Sequence, residues 1–405
     1  MRDKTTNHAA HLRGISRLTI DAIVGLTDLV EAMHHNISQT PGPLGEVSPG
    51  RTKGVTGFVY RSIRSVTGLV GSGLDRVLAQ LVPLLGQSSS SPGREAVLAA
   101  LNGVLGDYLA ESSNPLAISM RIRREGRPLP LEKHALSEVL VEPGGKLLVL
   151  AHGLCMNDLQ WNRKDHDHGA ALARNLGYTP VYLHYNSGCH VSSNGREFAG
   201  LLETLVAEWP VPVEELVIVG HSMGGLVARS ACHYAALAGH GWLQRLGALV
   251  FLGTPHHGAP LERGGNWVNL ILGASPYTAP FARLAKIRSA GITDLRYGNL
   301  VDEDWSGRER FAHEGDTRKS VPLPNGVPCY AIAATLGEDA GNLSGRILGD
   351  GLVPLDSALG RHAEPARTLA FPDNRQRVIQ GVNHLDLLSD VAVCEQIRQW
   401  LAPLG

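Results

Sequence analysis

The chain has 405 residues, of which 43% are hydrophobic and 19% charged, enough apolar content for one large α/β core or two smaller ones and too much for intrinsic disorder. Lys plus Arg total 37 against 38 Asp plus Glu, a formal net charge of -1, so there is no basic field to hold a polyanion and nucleic acid is not expected as a partner. The 47 glycines and 5% aromatics suit many tight strand-to-helix turns better than coiled coils.

The N-terminal segment is polar before any apolar residue and has no h-region followed by a small-residue cleavage site, so no secretory signal is expected. No apolar run approaches the roughly 20 residues that cross a bilayer. Residues 15 to 37 place Leu18, Ile23, Leu26, Val30 and Met33 on one helical stripe. A Pro/Gly linker from Thr40 to Gly54 ends it. A second stripe runs from Val55 to Leu81 with Arg61, Arg64 and Arg76 beside it, and a third from Val97 to Leu109. Residues 1 to 112 are therefore expected to form a helical extension packed on its own chain. Peripheral membrane contact or self-association through these helices is the alternative.

After Asn114 the period becomes strand-like. AISMRIR and RPLPL flank Glu125-Gly126 and predict a hairpin. Buried runs of parallel-sheet type follow at 146–152, 180–185, 215–221, 246–253 and 327–334, with helix-length segments between several of them. The expected fold class is α/β: a doubly wound, mostly parallel sheet over 113–405. The stretch from about 258 to 325 shows no clear strand and is expected to be an inserted cap. Trp267, Val268, Leu270, Ile271 and Leu272 are its most apolar part, and Asp302 to Lys319 a part polar enough to stay in water.

The sharpest chemical signal is Gly220-His221-Ser222-Met223-Gly224 between a buried strand and a helix. A nucleophile elbow needs this context, because its strained turn leaves no room for side chains at the flanking glycines. A lone serine hydroxyl is a poor nucleophile, so Ser222 requires a base and an orienting acid later in the chain. His384, in NHLDLL before the last helix, is the candidate base. Asp350, in the Gly-Asp-Gly turn of LGDGLVPLDSA, is the preferred acid and Asp356 the competing one. Oxyanion stabilisation needs two backbone N–H groups. Met223 supplies one, and Leu154, after His152-Gly153 at the end of the first parallel strand, is the candidate for the other. His152, His166, His168, His221, His256 and His257 are read as turn or cap residues, a metal site in the DHDH tract being the lesser reading. Cys155 is read as a small apolar residue. The five cysteines have no CxxC spacing, so neither a zinc site nor a disulfide framework is expected, and the chain suits a reducing, cytoplasmic compartment.

AHGL, GHSMGG, GTPHHGAPLER, GDGLVPLDSA and NHLDLL in this order resemble bacterial lipases and esterases of the α/β-hydrolase superfamily, with loops similar to the domain shared with GPI inositol-deacylase-like proteins. The resemblance covers about residues 114–405. It implies Ser222 as nucleophile, His384 as base, Asp350 as acid, and Leu154 and Met223 as oxyanion donors. It also implies a small-molecule or lipid ester as substrate. Some such lipases use the aspartate of the HLD motif, here Asp386, as a calcium ligand. No second carboxylate ligand is identifiable, so no metal or cofactor is expected. The expected activity is carboxylic ester hydrolysis through an acyl-enzyme. Acyl transfer by the same residues and a membrane-associated binding protein on a vestigial scaffold are the alternatives.

Overall fold

Strand β3 (Lys146–Ala151) is buried at every position after Lys146, as a strand covered by helices on both faces requires. The computed structural model describes residues 92–259, 288–308, 315–337 and 349–402. The stripes expected within 15–37 and 55–81, and the apolar part of the cap around Trp267 to Leu272, lie outside the described residues.

Strands β1 (Arg121–Arg124) and β2 (Arg127–Pro128) form the expected hairpin. Its turn residues Glu125 (φ 52°) and Gly126 (φ 73°) both adopt the left-handed conformation that a tight two-residue hairpin turn demands. β4 (Thr179–His184), β5 (Glu215–His221), β6 (Leu246–Leu252) and β7 (Cys329–Thr335) fall on the remaining expected runs. An eighth strand, β8 (Gln376–Gln380), was not expected. It is an edge strand paired only with β7, and Ile379 alone in it is buried, so its sequence carries no continuous apolar run.

The sheet order is β2-β1-β4-β3-β5-β6-β7-β8, with β1 antiparallel to β4 and β3 through β8 parallel. The path from β3 to β4 runs one way along the sheet and the path from β4 to β5 turns back. Right-handed crossovers therefore put helices α3 (His168–Leu176) and α4 (Val191–Glu208) on opposite faces. Accordingly α4 packs on α5 (Met223–Ala238), and α3 packs on α8 (Val391–Leu401). The order reverses beside β5, and the carboxyl end of a strand at such a switch point is where open α/β sheets place their sites.

Helix α1 (Pro92–Glu111) carries the third stripe. Ala100, Leu101, Val104, Leu105 and Leu109 belong to the same buried cluster as the sheet. The helix approaches the body at its small residues: a Cβ on Gly103 would lie 2.2 Å from Cys155 Sγ. Asn102 Nδ2 donates to Leu116 O at 2.8 Å while its Oδ1 accepts from Ile118 N at 2.9 Å. Arg123 pairs with Glu95 at 2.9 Å. The helix thus shares its core with the sheet.

The later part of the expected cap also packs into the body. Helix α6 (Ala290–Asp294) is preceded by Ser289, whose hydroxyl donates to Gly103 O at 2.6 Å. Gly291 N donates to Gly188 O at 2.9 Å, and Ser230 Oγ to Leu300 O at 2.6 Å. Within the stretch expected to stay in water, Asp304 is buried instead. Its carboxylate accepts from the amides of Leu300, Val301 and Lys319, which compensates the desolvation of the charge. Short helices α2 (Lys133–Val139) and α7 (Leu355–Ala358) complete the described α-helices.

Gly103→Val should overpack the contact with Cys155 and destabilise the chain by roughly 1–3 kcal/mol, read from the urea midpoint. Gly200→Ala, in α4 where an added Cβ meets nothing within 4 Å, should be neutral or stabilising. Equal effects of the two would mean that α1 does not bear on the body as described.

Candidate active site

β5 ends at His221 and α5 begins at Met223, so the chain turns on Ser222 alone. Ser222 has φ 55° and ψ -124°, a conformation that a side chain adopts only where its surroundings over-determine it. Two features do so. Ser222 N donates to Leu252 O at the end of β6, at 2.8 Å. The adjoining backbone is also closely packed: a Cβ on Gly224 would lie 2.2 Å from Ala151 O, and one on Gly220 2.5 Å from Gly225 Cα. The Ser222 hydroxyl is buried and makes no hydrogen bond to the described residues.

Gly253 follows Leu252, the residue that accepts the Ser222 amide, and the other candidates pack against it. A Cβ built there would lie 3.0 Å from Asp350 Oδ2 and 3.1 Å from His384 Cε1. Asp350 follows β7 in a turn whose glycines, Gly349 (φ 53°) and Gly351 (φ 94°), both take left-handed backbone. One carboxylate oxygen of Asp350 accepts from the amides of Leu352 (3.0 Å) and Val353 (2.8 Å). The other lies 2.6 Å from His384 Nδ1. The contact is buried on both sides, so it gains strength from the low local dielectric. His384 N also donates to Asp350 O at 3.1 Å. The competing acid, Asp356, sits in the first turn of α7, 3.8 Å from Arg361, with a side chain 38% exposed. The structure brings Asp350 to His384 and Asp356 to Arg361.

The loop after β3 closes the other side. A Cβ on Gly153 would lie 3.0 Å from Ser222 Cβ, so the backbone leading to Leu154 passes directly against the serine. Met223 is the first residue of α5, and first-turn amides have no acceptor within their own helix. Cys155 has φ 58°, and its N–H donates to Ser187 Oγ at 3.0 Å. Burial raises the Cys155 thiol well above its ordinary value, leaving it inert as a nucleophile. Ser187 carried no recognisable sequence signal.

Four further histidines, His168, His221, His256 and His257, act as ties. His221 Nε2 donates to His384 O at 3.0 Å, so the residue before the serine holds the backbone of the loop opposite. His168 Nε2 donates to Leu387 O at 2.8 Å. His257 Nε2 donates to Gly360 O at 2.9 Å, and its Nδ1 accepts from Arg318 at 3.0 Å. His256 Nδ1 accepts from the buried Arg229 at 3.2 Å. Asp386 is 2.8 Å from Lys164 and 3.5 Å from Arg163. Burial pushes its carboxyl up, but these two cations prevail and hold it below its ordinary value. Asp386 is therefore already neutralised by side-chain cations, an arrangement that only the tertiary fold reveals. All five cysteines are free thiols.

With its strand order and its serine at the bend after β5, the chain has the α/β-hydrolase fold. A family model described as a PGAP1-like alpha/beta domain matches residues 202–322. Among solved structures, the mature form of a lipase from Bacillus licheniformis is similar at 16% identity over 70% of this chain and 97% of that one, with a TM-score of 0.41. An esterase from Pyrobaculum calidifontis is similar at 14% identity over 79% and 95%, TM-score 0.39. A type II thioesterase of a yersiniabactin pathway is similar at 14% over 64% and 94%, TM-score 0.39. No curated protein matches the chain.

Burial holds His152 down to about 3 and His168 and His257 to about 4, against an ordinary 6.5. His221 and His256 are also lowered, for the same reason. A buried ring whose folded value is depressed binds its proton only on unfolding, so the unfolded chain takes up more protons below pH 6.5. Stability should be full above about 6.5, the unfolded value, and fall steadily as the pH drops toward 4. Urea midpoints measured across this window test the sign. A flat profile would mean that these rings already carry protons in the folded chain.

Proposed function

We propose that the protein is a serine hydrolase that cleaves carboxylic esters through an acyl-enzyme, with Ser222, His384 and Asp350 as catalytic triad. The carrying observation is the buried His384–Asp350 contact of 2.6 Å beside a serine held in a strained bend. Asp350 fixes the Nδ1–H tautomer of His384 and stabilises its protonated form. Nε2 then takes the Ser222 proton as Oγ attacks the ester carbonyl. The oxygen of the tetrahedral intermediate gathers negative charge, and the amides of Met223 and Leu154 are its donors. On collapse, His384 returns the proton to the departing alcohol. Water, deprotonated by the same nitrogen, then releases the acid. The substrate is a small-molecule or lipid ester, and no step calls for a metal or cofactor. Among the described residues no helix is long and apolar enough to cross a membrane.

Ser222→Ala should lower kcat for p-nitrophenyl butyrate by roughly 10⁴- to 10⁶-fold, with the circular dichroism spectrum unchanged. Mass spectrometry after fluorophosphonate labelling should place the adduct on Ser222, and an adduct on another serine would overturn the assignment.

Asp350→Asn should lower kcat by about 10³- to 10⁴-fold through loss of the required tautomer. Asp356→Asn, which alters a half-exposed residue paired with Arg361, should change it far less. The reverse ranking would transfer the acid's role to Asp356.

A further inference from the structure

We propose that His166, His168 and Cys394 form a divalent transition-metal site, with zinc as the fitting ion, apart from the Ser222 centre. Their donor atoms all lie within 4.8 Å of one another. The ligands come from two pieces of chain, the segment of His166 and His168 and the helix of Cys394. His166 closes a tight turn in which Arg163 and His166 exchange both backbone hydrogen bonds, at 2.9 and 3.0 Å. His168 opens α3, and Cys394 stands in α8, which packs on α3.

The orientation of His168 points to a ligand as well as to a hydrogen bond. Its Nε2–H donates to Leu387 O at 2.8 Å, so in the neutral ring the Nδ1 lone pair faces His166 Nε2, 2.8 Å away. A ligating imidazole whose second nitrogen donates to a backbone carbonyl is the usual outer-shell arrangement of metal-bound histidine. Two nitrogens on one tetrahedral zinc, each at about 2.0–2.1 Å, stand roughly 3.3–3.4 Å apart, so the histidine pair must part by about half an ångström while the widest donor separation, within 4.8 Å, closes by side-chain rotation onto the ion. Two imidazoles and a thiolate favour zinc over calcium or magnesium, which prefer oxygen. His166 is only half-buried, which gives an ion a way in.

Binding exchanges one proton for the metal ion. The Cys394 thiol loses its proton to solvent as the sulfur–metal bond forms. The single proton of neutral His166 moves from Nε2 to Nδ1 through solvent, so the ring changes tautomer, stays neutral and offers its Nε2 lone pair to the metal. Water completes a fourth position. Because His168 is tied to Leu387, three residues after His384, an ion here would brace the loop that carries His384.

The test uses the full chain, stripped with a chelator and dialysed, then titrated with Co²⁺ and Zn²⁺. One equivalent of Co²⁺ should produce a near-ultraviolet thiolate-to-metal charge-transfer band, and Zn²⁺ should abolish it on displacement. Cys394→Ser should remove the band. His166→Gln, at the half-buried ligand where refolding is least at risk, should weaken zinc binding by about tenfold or more. Circular dichroism and urea midpoints of the metal-free variants check that each is folded. No charge-transfer band in the wild-type chain, or equal zinc affinity in wild type and His166→Gln, would overturn the proposal and leave the two histidines as a hydrogen-bonded pair. Neither outcome depends on ester hydrolysis, so the result is separable from the role assigned to Ser222.

Discussion

A serine forced to φ 55° costs of order 1–3 kcal/mol, and the bend survives because neighbouring strands leave the backbone no alternative. Leu252 O takes its amide from one side, while the carbonyl of Ala151 lies where a side chain at position 224 would go. The bend therefore depends on β3, β5 and β6 lying side by side in parallel register. Their apolar runs, buried on both faces, supply that register and the free energy that holds it. The same register brings the loop after β3 and the residue after β6 to the serine.

Asp350 and His384 reach this point from farther along the chain, and their placement uses polar contacts where Ser222 uses packing. Amides of Leu352 and Val353 occupy one oxygen of Asp350 and leave the other for His384. The His384 loop is in turn held through its carbonyls and its acid: His221 takes the carbonyl of His384, His168 that of Leu387, and Lys164 with Arg163 the carboxylate of Asp386. Neutral imidazoles serve well as buried ties, because a ring with a depressed pKa donates one hydrogen bond without bringing an unpaired charge into the core.

The parallel strands and the glycines around Ser222 were legible because each leaves a local signature: an apolar run, or small residues flanking one hydroxyl. Asp350 was legible for a similar reason, since a Gly-Asp-Gly turn is a local object. β8 was not, because an edge strand with one buried side chain needs no apolar run. Neither were Ser187 or the Lys164–Asp386 pair, whose partners are separated by 32 and 222 positions and meet only after the sheet has formed. Helix α1 was legible as a helix packed on its own chain, whereas its particular contacts with Cys155 and Leu116 were not, since an apolar stripe names a buried face and not its partners. Between Asp302 and Lys319 the described residues are exposed or half-buried as their polarity suggests, with Asp304 the exception, since the sequence shows its charge but not the three amides that receive it.

The position of α1 bears on the chemistry proposed for Ser222. Oxyanion stabilisation depends on donors that need not reorient as charge develops, and the loop bearing Leu154 is a turn with Cys155 at φ 58°, a conformation that relaxes unless restrained. Ser187 Oγ restrains it from the loop after β4, accepting the Cys155 amide. α1 restrains it from outside, with Gly103 set against the Cys155 backbone and side chain. Ser289, at the start of α6, hydrogen-bonds to the carbonyl of that same Gly103, and Gly291 lies against both Ser187 and the Met223 side chain. A helix before the sheet and a segment inserted after β6 are thus packed around one short loop. Glycine and serine at these contacts allow the approach, and a bulkier residue at position 103 would act through the loop on the amides proposed as oxyanion donors even though it touches no substrate.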